Sequence, residues 1–186
     1  MIAIRSARAE DAAAIAAIYA PFVQGGTVSF ETDAPDTRAM RSRMTASDGL
    51  YPWIVATNGD AEGGVLGYAY ATRFRDRPAY RYVVETSIYM AGDAQRQGAG
   101  RLLYEALVDT LRAQGFTQAI GVISLPNEAS ITLHEQTGFR RAGVYREIGF
   151  KMGRWIDVGY WQCVLNASAV PPVEPRPFSA VGVVRD

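Results

Sequence analysis

The segment Gln95-Arg96-Gln97-Gly98-Ala99-Gly100 joins a β-rich run, Val83 to Met90, to an amphipathic stretch beginning near Arg101. This junction constrains the fold more than any other part of the chain. Two glycines let the backbone approach an anion closely, and the first amides of a helix have no intrahelical partner. The helix dipole adds partial positive charge at the same end, and Arg96 and Arg101 flank it with full charges. Strand, turn and helix in this order read as a cradle for a pyrophosphate, with the backbone from Gln97 through Gly98, Ala99 and Gly100 to Arg101 as its donors. Glycine pairs also open helices for packing reasons alone. The remaining segments have to discriminate between the two.

Ile2 to Ala7 reads as a short strand. Glu10-Asp11 then lead a helix with Ile15, Ile18, Tyr19 and Phe22 at helical spacing. Asp36 is the expected N-cap of a second helix, which buries Met40 and Met44 and ends at Gly49. Trp53 to Thr57 and Val65 to Thr72 form a hairpin pattern around a glycine-rich turn. After the cradle, Leu102, Leu103, Ala106, Leu107 and Leu111 fall on one helix face, and Gly115-Phe116 supplies a Schellman stop. Ala119 to Ser124 follows as an apolar strand. The connection from the strand at 83 is long enough for a right-handed parallel crossover, so these two strands are expected to be neighbours. Asn127 caps a fourth helix that Gly138-Phe139 terminates, and aromatic strands over Val144 to Phe150 and Val158 to Leu165 complete a mixed, mostly antiparallel sheet. The run Pro171-Pro172-Val173-Glu174-Pro175-Arg176-Pro177 marks an extended or disordered tail. The expected division is a domain over 1–166 and a proline-rich tail over 167–186.

Charge narrows the partners. The 19 basic and 19 acidic residues balance, so no general field draws in nucleic acid or anionic lipid, and any anion site has to be local. The N-terminus lacks the pattern of a signal peptide and no apolar stretch is long enough to span a membrane, which points to the cytoplasm. Cys163 sits alone in an apolar run, as a buried structural thiol rather than a nucleophile. With one histidine and one cysteine, no metal site can be assembled.

Two side chains stand out chemically. Glu85 interrupts an apolar strand, sharing one side with Val83, Ser87 and Tyr89. It is either paired with a nearby arginine such as Arg81 or kept as a base beside a ligand site. His134 lies one helical turn after Ser130 and is either a packed ring with satisfied nitrogens or a working group. No Gly-x-Ser-x-Gly elbow is present.

With these pieces in order, the chain resembles the GNAT superfamily of N-acetyltransferases. The strand, Gln95 to Gly100 and the helix match its Q/R-x-x-G-x-G/A signature, and Asn127-Glu128-Ala129-Ser130-Ile131 through Gly138-Phe139 matches its later motif. It is similar to the phosphinothricin and methionine sulfoximine acetyltransferase branch through Thr27-Val28-Ser29-Phe30, Val84 to Tyr89, Leu125-Pro126-Asn127, Leu133-His134-Glu135 and Lys151 to Gln162. The resemblance covers residues 2 to 165. It implies an α/β (α+β) fold whose mixed, mostly antiparallel sheet of about seven strands is flanked by about four helices, with strands 4 and 5 splayed. Acetyl-CoA is the implied co-substrate, without a metal. Its pyrophosphate would lie on Arg96, Gln97, Gly98, Ala99, Gly100 and Arg101, and its pantetheine along Ile88, Tyr89, Met90 and Asn127. The implied acceptor is the α-amino group of a small amino-acid analogue, with Glu85 as base and His134 in place of the tyrosine that many members use as acid. Arg73, Arg75 and Arg77 are candidates for substrate oxyanions, and Phe30 and Tyr80 for walls. Relatives commonly form homodimers. Competing readings are transfer to another amine (an amino acid, polyamine, aminoglycoside or protein N-terminus), a non-catalytic acyl-CoA sensor, and a mononucleotide-binding protein. Absence of Gly-Lys-Ser/Thr after the glycines weighs against the last.

Overall fold

The computed structural model describes residues 1–46, 49–59, 63–94 and 98–185. Strands β1 (Ile2–Ser6), β2 (Trp53–Asn58), β3 (Val65–Arg73), β4 (Val83–Met90), β5 (Gln118–Ser124), β6 (Arg140–Lys151) and β7 (Arg154–Val164) form one sheet in the order β1-β2-β3-β4-β5-β7-β6. Only β4 and β5 pair in parallel; every other neighbour is antiparallel. Helix α3 (Ala99–Gln114) makes the crossover between them.

The helices cover the two faces separately. Ile15, Tyr19 and Val23 of α1 (Ala12–Gln24) and Met40 of α2 (Thr37–Thr45) pack with Trp53, Val55 and Tyr68 on one side. On the other, Leu103, Leu107 and Leu111 of α3 meet Ile54, Ala69, Val84 and Phe139, with Ile131 and Leu133 of α4 (Glu128–Gln136) against the same cluster. Asp36 caps α2 as expected, accepting from the Ala39 amide at 2.7 Å. The Gly115 and Phe116 amides return to the Arg112 and Leu111 carbonyls, closing α3 as a Schellman motif.

Two expectations need correction. Leu102 does not share the buried face of α3 and is 39% exposed. At about 100° per residue it lies off the Leu103-Leu107-Leu111 seam. Helix α2 ends at Thr45 rather than at Gly49, with the Thr45 hydroxyl donating back to the Arg41 and Ser42 carbonyls of the last turn.

The tail runs extended, as its prolines suggest, but it is bound to the domain. Glu174 accepts from Arg81 and Tyr82, the buried Gln114 side chain donates to the Arg176 carbonyl, and Phe178 and Val183 pack on the main core around the short helix α5 (Phe178–Val181).

The feature that positions the site is a fork. The β4–β5 ladder runs from Val83↔Gln118 to Thr86↔Gly121 and stops there. Beyond it, β4 stays paired with β3 as far as Met90, and β5 with β7 as far as Ser124. One edge of each strand therefore faces a gap.

Candidate active site

A cavity of about 460 Å³ opens on the α1 side of the sheet, and Glu85, Ser87 and Tyr89 all line it. The alternation of β4 puts them there while Val84 and Thr86 turn into the core. Tyr70 of β3, Val122 and Ser124 of β5, and Tyr160 of β7 continue the sheet wall; Val28, Ser29, Phe30 and Glu31 close it from the segment after α1. A narrower slot of about 50 Å³ occupies the fork itself, between Ser87, Ile88 and Tyr89 on one side and Val122, Ile123 and Ser124 on the other. Val28, Ser87, Tyr89, Val122 and Ser124 line both spaces, so slot and cavity adjoin. An extended arm could hydrogen-bond the free strand edges of the slot as an added strand would, with its end reaching the cavity.

Glu85 lines the cavity but not the slot, two residues before Ser87, which lines both. Its side chain is 33% exposed, and burial pushes its carboxyl above the usual range while the Arg75 guanidinium, 4.0 Å away, opposes the shift. Arg81 does not provide the structural partner that the sequence allowed for: it pairs with Glu174 at 2.8 Å. A carboxylate with a raised pKa facing a polar cavity suits a base better than a strut.

His134 is 4% exposed, at the floor of the slot. Its Nδ1 lies 2.8 Å from the Ser130 carbonyl, which can only accept, so Nδ1 carries the proton. Nε2 then accepts from the Tyr104 hydroxyl at 2.9 Å, and that hydroxyl lies 2.8 Å from Thr86 Oγ1. Burial lowers the His134 pKa, keeping the ring neutral. Both nitrogens are thus satisfied, and the network ties α4 to β4 at the residue where the strands part. Gly121 makes room for the ring: a Cβ there would lie 2.4 Å from His134 Nε2.

At the phosphate end, Gly98 has φ +79° and, among the described residues, no side chain caps the first turn of α3, whereas Asn127 caps α4 by accepting from the Ser130 amide. The open first turn fits an anion; Ala99 and Gly100 lie in it, and Arg101 is tethered to Glu105 at 2.7 Å. Arg96 and Gln97 lie outside the described residues. Asn127 also lines the slot. Of the other expected site residues, Ile88 and Tyr89 line the slot, Met90 ends β4 beside Gly100, and Phe30 lies in the cavity wall. Arg73, Arg75, Arg77 and Tyr80 are not among the cavity-lining residues. Arg73 pairs with Asp76, Arg75 stacks on Phe74, and Tyr80 packs edge-on against the same ring.

Sequence reasoning missed Glu31 and passed over Tyr19 and Tyr70 as cavity residues. The Tyr19 hydroxyl lies 2.7 Å from Ser29 Oγ and donates to Glu31, and Arg43 donates to Glu31 from both terminal guanidinium nitrogens. Burial raises the Tyr19 pKa to about 12, and the Arg43 pairing keeps Glu31 below the usual carboxylate range.

The acetyltransferase (GNAT) domain family model matches residues 4–159. The chain belongs to the GNAT acetyltransferases. Among curated GNAT relatives, phosphinothricin N-acetyltransferase of Alcaligenes faecalis is 44% identical, over 88% of this chain and 83% of its own length. The L-methionine sulfoximine/L-methionine sulfone acetyltransferase of Pseudomonas aeruginosa is 36% identical over 91% and 98%. A crystal structure of a Sinorhizobium meliloti GNAT phosphinothricin acetyltransferase in complex with acetyl-CoA superposes with a TM-score of 0.84 at 38% identity, covering 97% of this chain and 95% of that one. The overall arrangement of sheet and helices is therefore shared with that GNAT structure.

Proposed function

We propose that this GNAT enzyme transfers the acetyl group of acetyl-CoA to the α-amino group of a small amino-acid analogue such as phosphinothricin or methionine sulfoximine. The observation that carries the reading is the position of Glu85, in the wall of a cavity that adjoins a strand-edged slot. The named activities of the relatives support the substrate class.

An amine attacks only when unprotonated, and an α-amino group has a pKa of about 8, so near neutrality it must first lose a proton. Glu85 accepts that proton, directly or through a water. The nitrogen lone pair then forms the C–N bond at the thioester carbonyl, the C–S bond breaks with its electrons on sulfur, and the surplus proton left on the nitrogen passes through water to the departing thiolate as the amide forms. The free edge of β4 near Ile88 and Tyr89 supplies N–H donors for the developing oxyanion. Neutral His134, with its proton on Nδ1, orients the slot floor and has no proton of its own on Nε2 to give; any proton passing there comes through the Tyr104 hydroxyl. The uncapped turn of α3 takes the pyrophosphate, together with Arg96 and Gln97. Phe30 walls the amine cavity, and Arg75 brings positive charge to its edge for a carboxylate or phosphinate, with Arg73, Arg77 and Tyr80 on the same loop.

The enzyme works in the cytoplasm as a homodimer. Edge strand β6 leaves Tyr145, Ile148 and Phe150 more than half exposed, and Ile148 also lines the cavity, so a second copy seated there would cover both. The test is thiol release from acetyl-CoA across phosphinothricin, methionine sulfoximine, methionine sulfone, common amino acids and polyamines, compared by kcat/KM. The reading requires its highest values on the amino-acid analogues. Silence across the panel, with acetyl-CoA still bound, would replace it with a sensor.

A further inference from the structure

The motif Lys151-Met152-Gly153-Arg154 takes no part in the chemistry above. Met152 and Gly153 both have positive φ, 52° and 75°, as a two-residue type I′ turn requires. That turn sets Lys151 directly opposite Arg154 at the end of the β6–β7 hairpin. Both side chains reach back across the fold to the segment following α1. Lys151 Nζ donates to the Val23 carbonyl at 2.6 Å and to the Ser29 carbonyl at 2.7 Å, and Arg154 reaches the Thr27 hydroxyl at 3.4 Å.

The segment so held has no regular secondary structure between Gly25 and Asp36, yet Val28, Ser29, Phe30 and Glu31 form one wall of the cavity. A loop without its own ladder of hydrogen bonds samples many conformations, and ordering it is entropically unfavourable. One ammonium bonded to carbonyls at both ends of the bend, on the last turn of α1 and in the cavity wall, restricts it most where it turns. The hairpin also supplies the seat for the ring behind the latch: a Cβ at Gly149 would lie 2.1 Å from Phe30, so only glycine there lets Phe30 lie flat against β6.

We propose that Lys151 is a positioning residue for the amine: its ammonium latches the 25–31 segment closed and so fixes the Val28–Phe30 part of the acceptor-cavity wall, beside Glu31, which Arg43 and Tyr19 hold. The inference rests on the cavity being the amine site. Lys151 lines neither the slot nor the phosphate turn, and of the segment it holds only Val28 reaches the slot, so its loss acts chiefly on the amine.

The experiment compares Lys151→Met with the wild type by steady-state kinetics, with phosphinothricin and acetyl-CoA varied separately, and by amide hydrogen exchange of the substrate-free protein. Loss of hydrogen bonds from a charged donor predicts a rise of about tenfold or more in KM for the amine. KM for acetyl-CoA changes by a much smaller factor, since only Val28 of the segment reaches the slot, and exchange accelerates within residues 25–31. Lys151→Arg, which keeps a charged donor, restores part of both effects, and Lys151→Gln gives a milder version should the methionine variant fold poorly. Unchanged exchange and amine KM, or equal changes in both KM values, would overturn the proposal. If the wild type transfers to no amine, the substrate reading fails while the exchange comparison still decides whether the latch exists.

Discussion

Replacing Gly121 by alanine tests the buried network at the fork. Gly121 is not among the glycines of positive φ, so its backbone accepts a side chain. In a strand, glycine to alanine would by itself stabilise by about 0.5–1 kcal/mol. Here the added Cβ lies 2.4 Å from both Cδ2 and Nε2 of His134, against an ordinary contact distance of at least 3.4 Å, so the ring must retreat by about 1 Å. The ring is held by the Ser130 carbonyl at 2.8 Å, Tyr104 at 2.9 Å, and edge contacts with Tyr104 and Phe139. Retreat strains the packing, worth about 1–3 kcal/mol, and stretches the Tyr104 bond, leaving a buried polar atom unsatisfied for about 1–3 kcal/mol more. Set against the strand gain, the expected loss is about 1–5 kcal/mol. Urea unfolding followed by linear extrapolation measures it. The same substitution in a His134→Ala background has no ring to meet, and its effect should fall below about 1 kcal/mol. Equal losses in the two backgrounds would refute the account of the fork as a ring wedged against Gly121.

Other consequences are open to measurement. Because burial raises the Glu85 pKa, the acid limb of the pH–rate profile should lie above the usual glutamate range and disappear in Glu85→Gln; a limb at the ordinary value would contradict the base assignment. The same shift means that the ionised carboxylate opposes folding: wild type and Glu85→Gln should be equally stable below the usual carboxylate range, and Glu85→Gln more stable at neutral pH, as read by thermal unfolding. His134 has the opposite sign, its lowered pKa giving stability that is present above the ordinary histidine range and lost as pH falls toward the native value; His134→Gln should flatten that slope in unfolding titrations. Truncation after residue 167 removes the Arg176 carbonyl from the buried Gln114 amide and uncovers the core beneath Phe178 and Val183. The melting temperature should drop with kcat unchanged, and an unaltered melting temperature would show that the tail is only loosely attached.

Much of this architecture is legible from local pattern. The strand at 83 to 90, the open helix start after it, the Asp36 and Asn127 caps and the Schellman stop at Gly115 are each short-range chemistry, and each forms where its residues stand. The fork was legible only through the family resemblance, which implied splayed strands 4 and 5, and not from local pattern. Val122-Ile123-Ser124 reads as an ordinary continuation of a strand, and nothing in those residues reports that pairing with β4 stops at Gly121. His134 and Tyr104 sit at that point, brought from α4 and α3. Glu31 was hidden altogether, because its meaning comes from Arg43 on α2 and Tyr19 on α1, which approach only in three dimensions. Leu102 shows the converse limit: a leucine count cannot separate a seam residue from its neighbour one step around the helix.

The central claim, that Glu85 removes the amine proton beside a thioester held in the β4–β5 fork, is met most directly by a paired measurement on Glu85→Gln. Calorimetric titration with acetyl-CoA should give the wild-type affinity, while initial rates of acetyl transfer to phosphinothricin fall by about a hundredfold or more. Wild-type turnover in the variant, or loss of acetyl-CoA binding along with turnover, would contradict it.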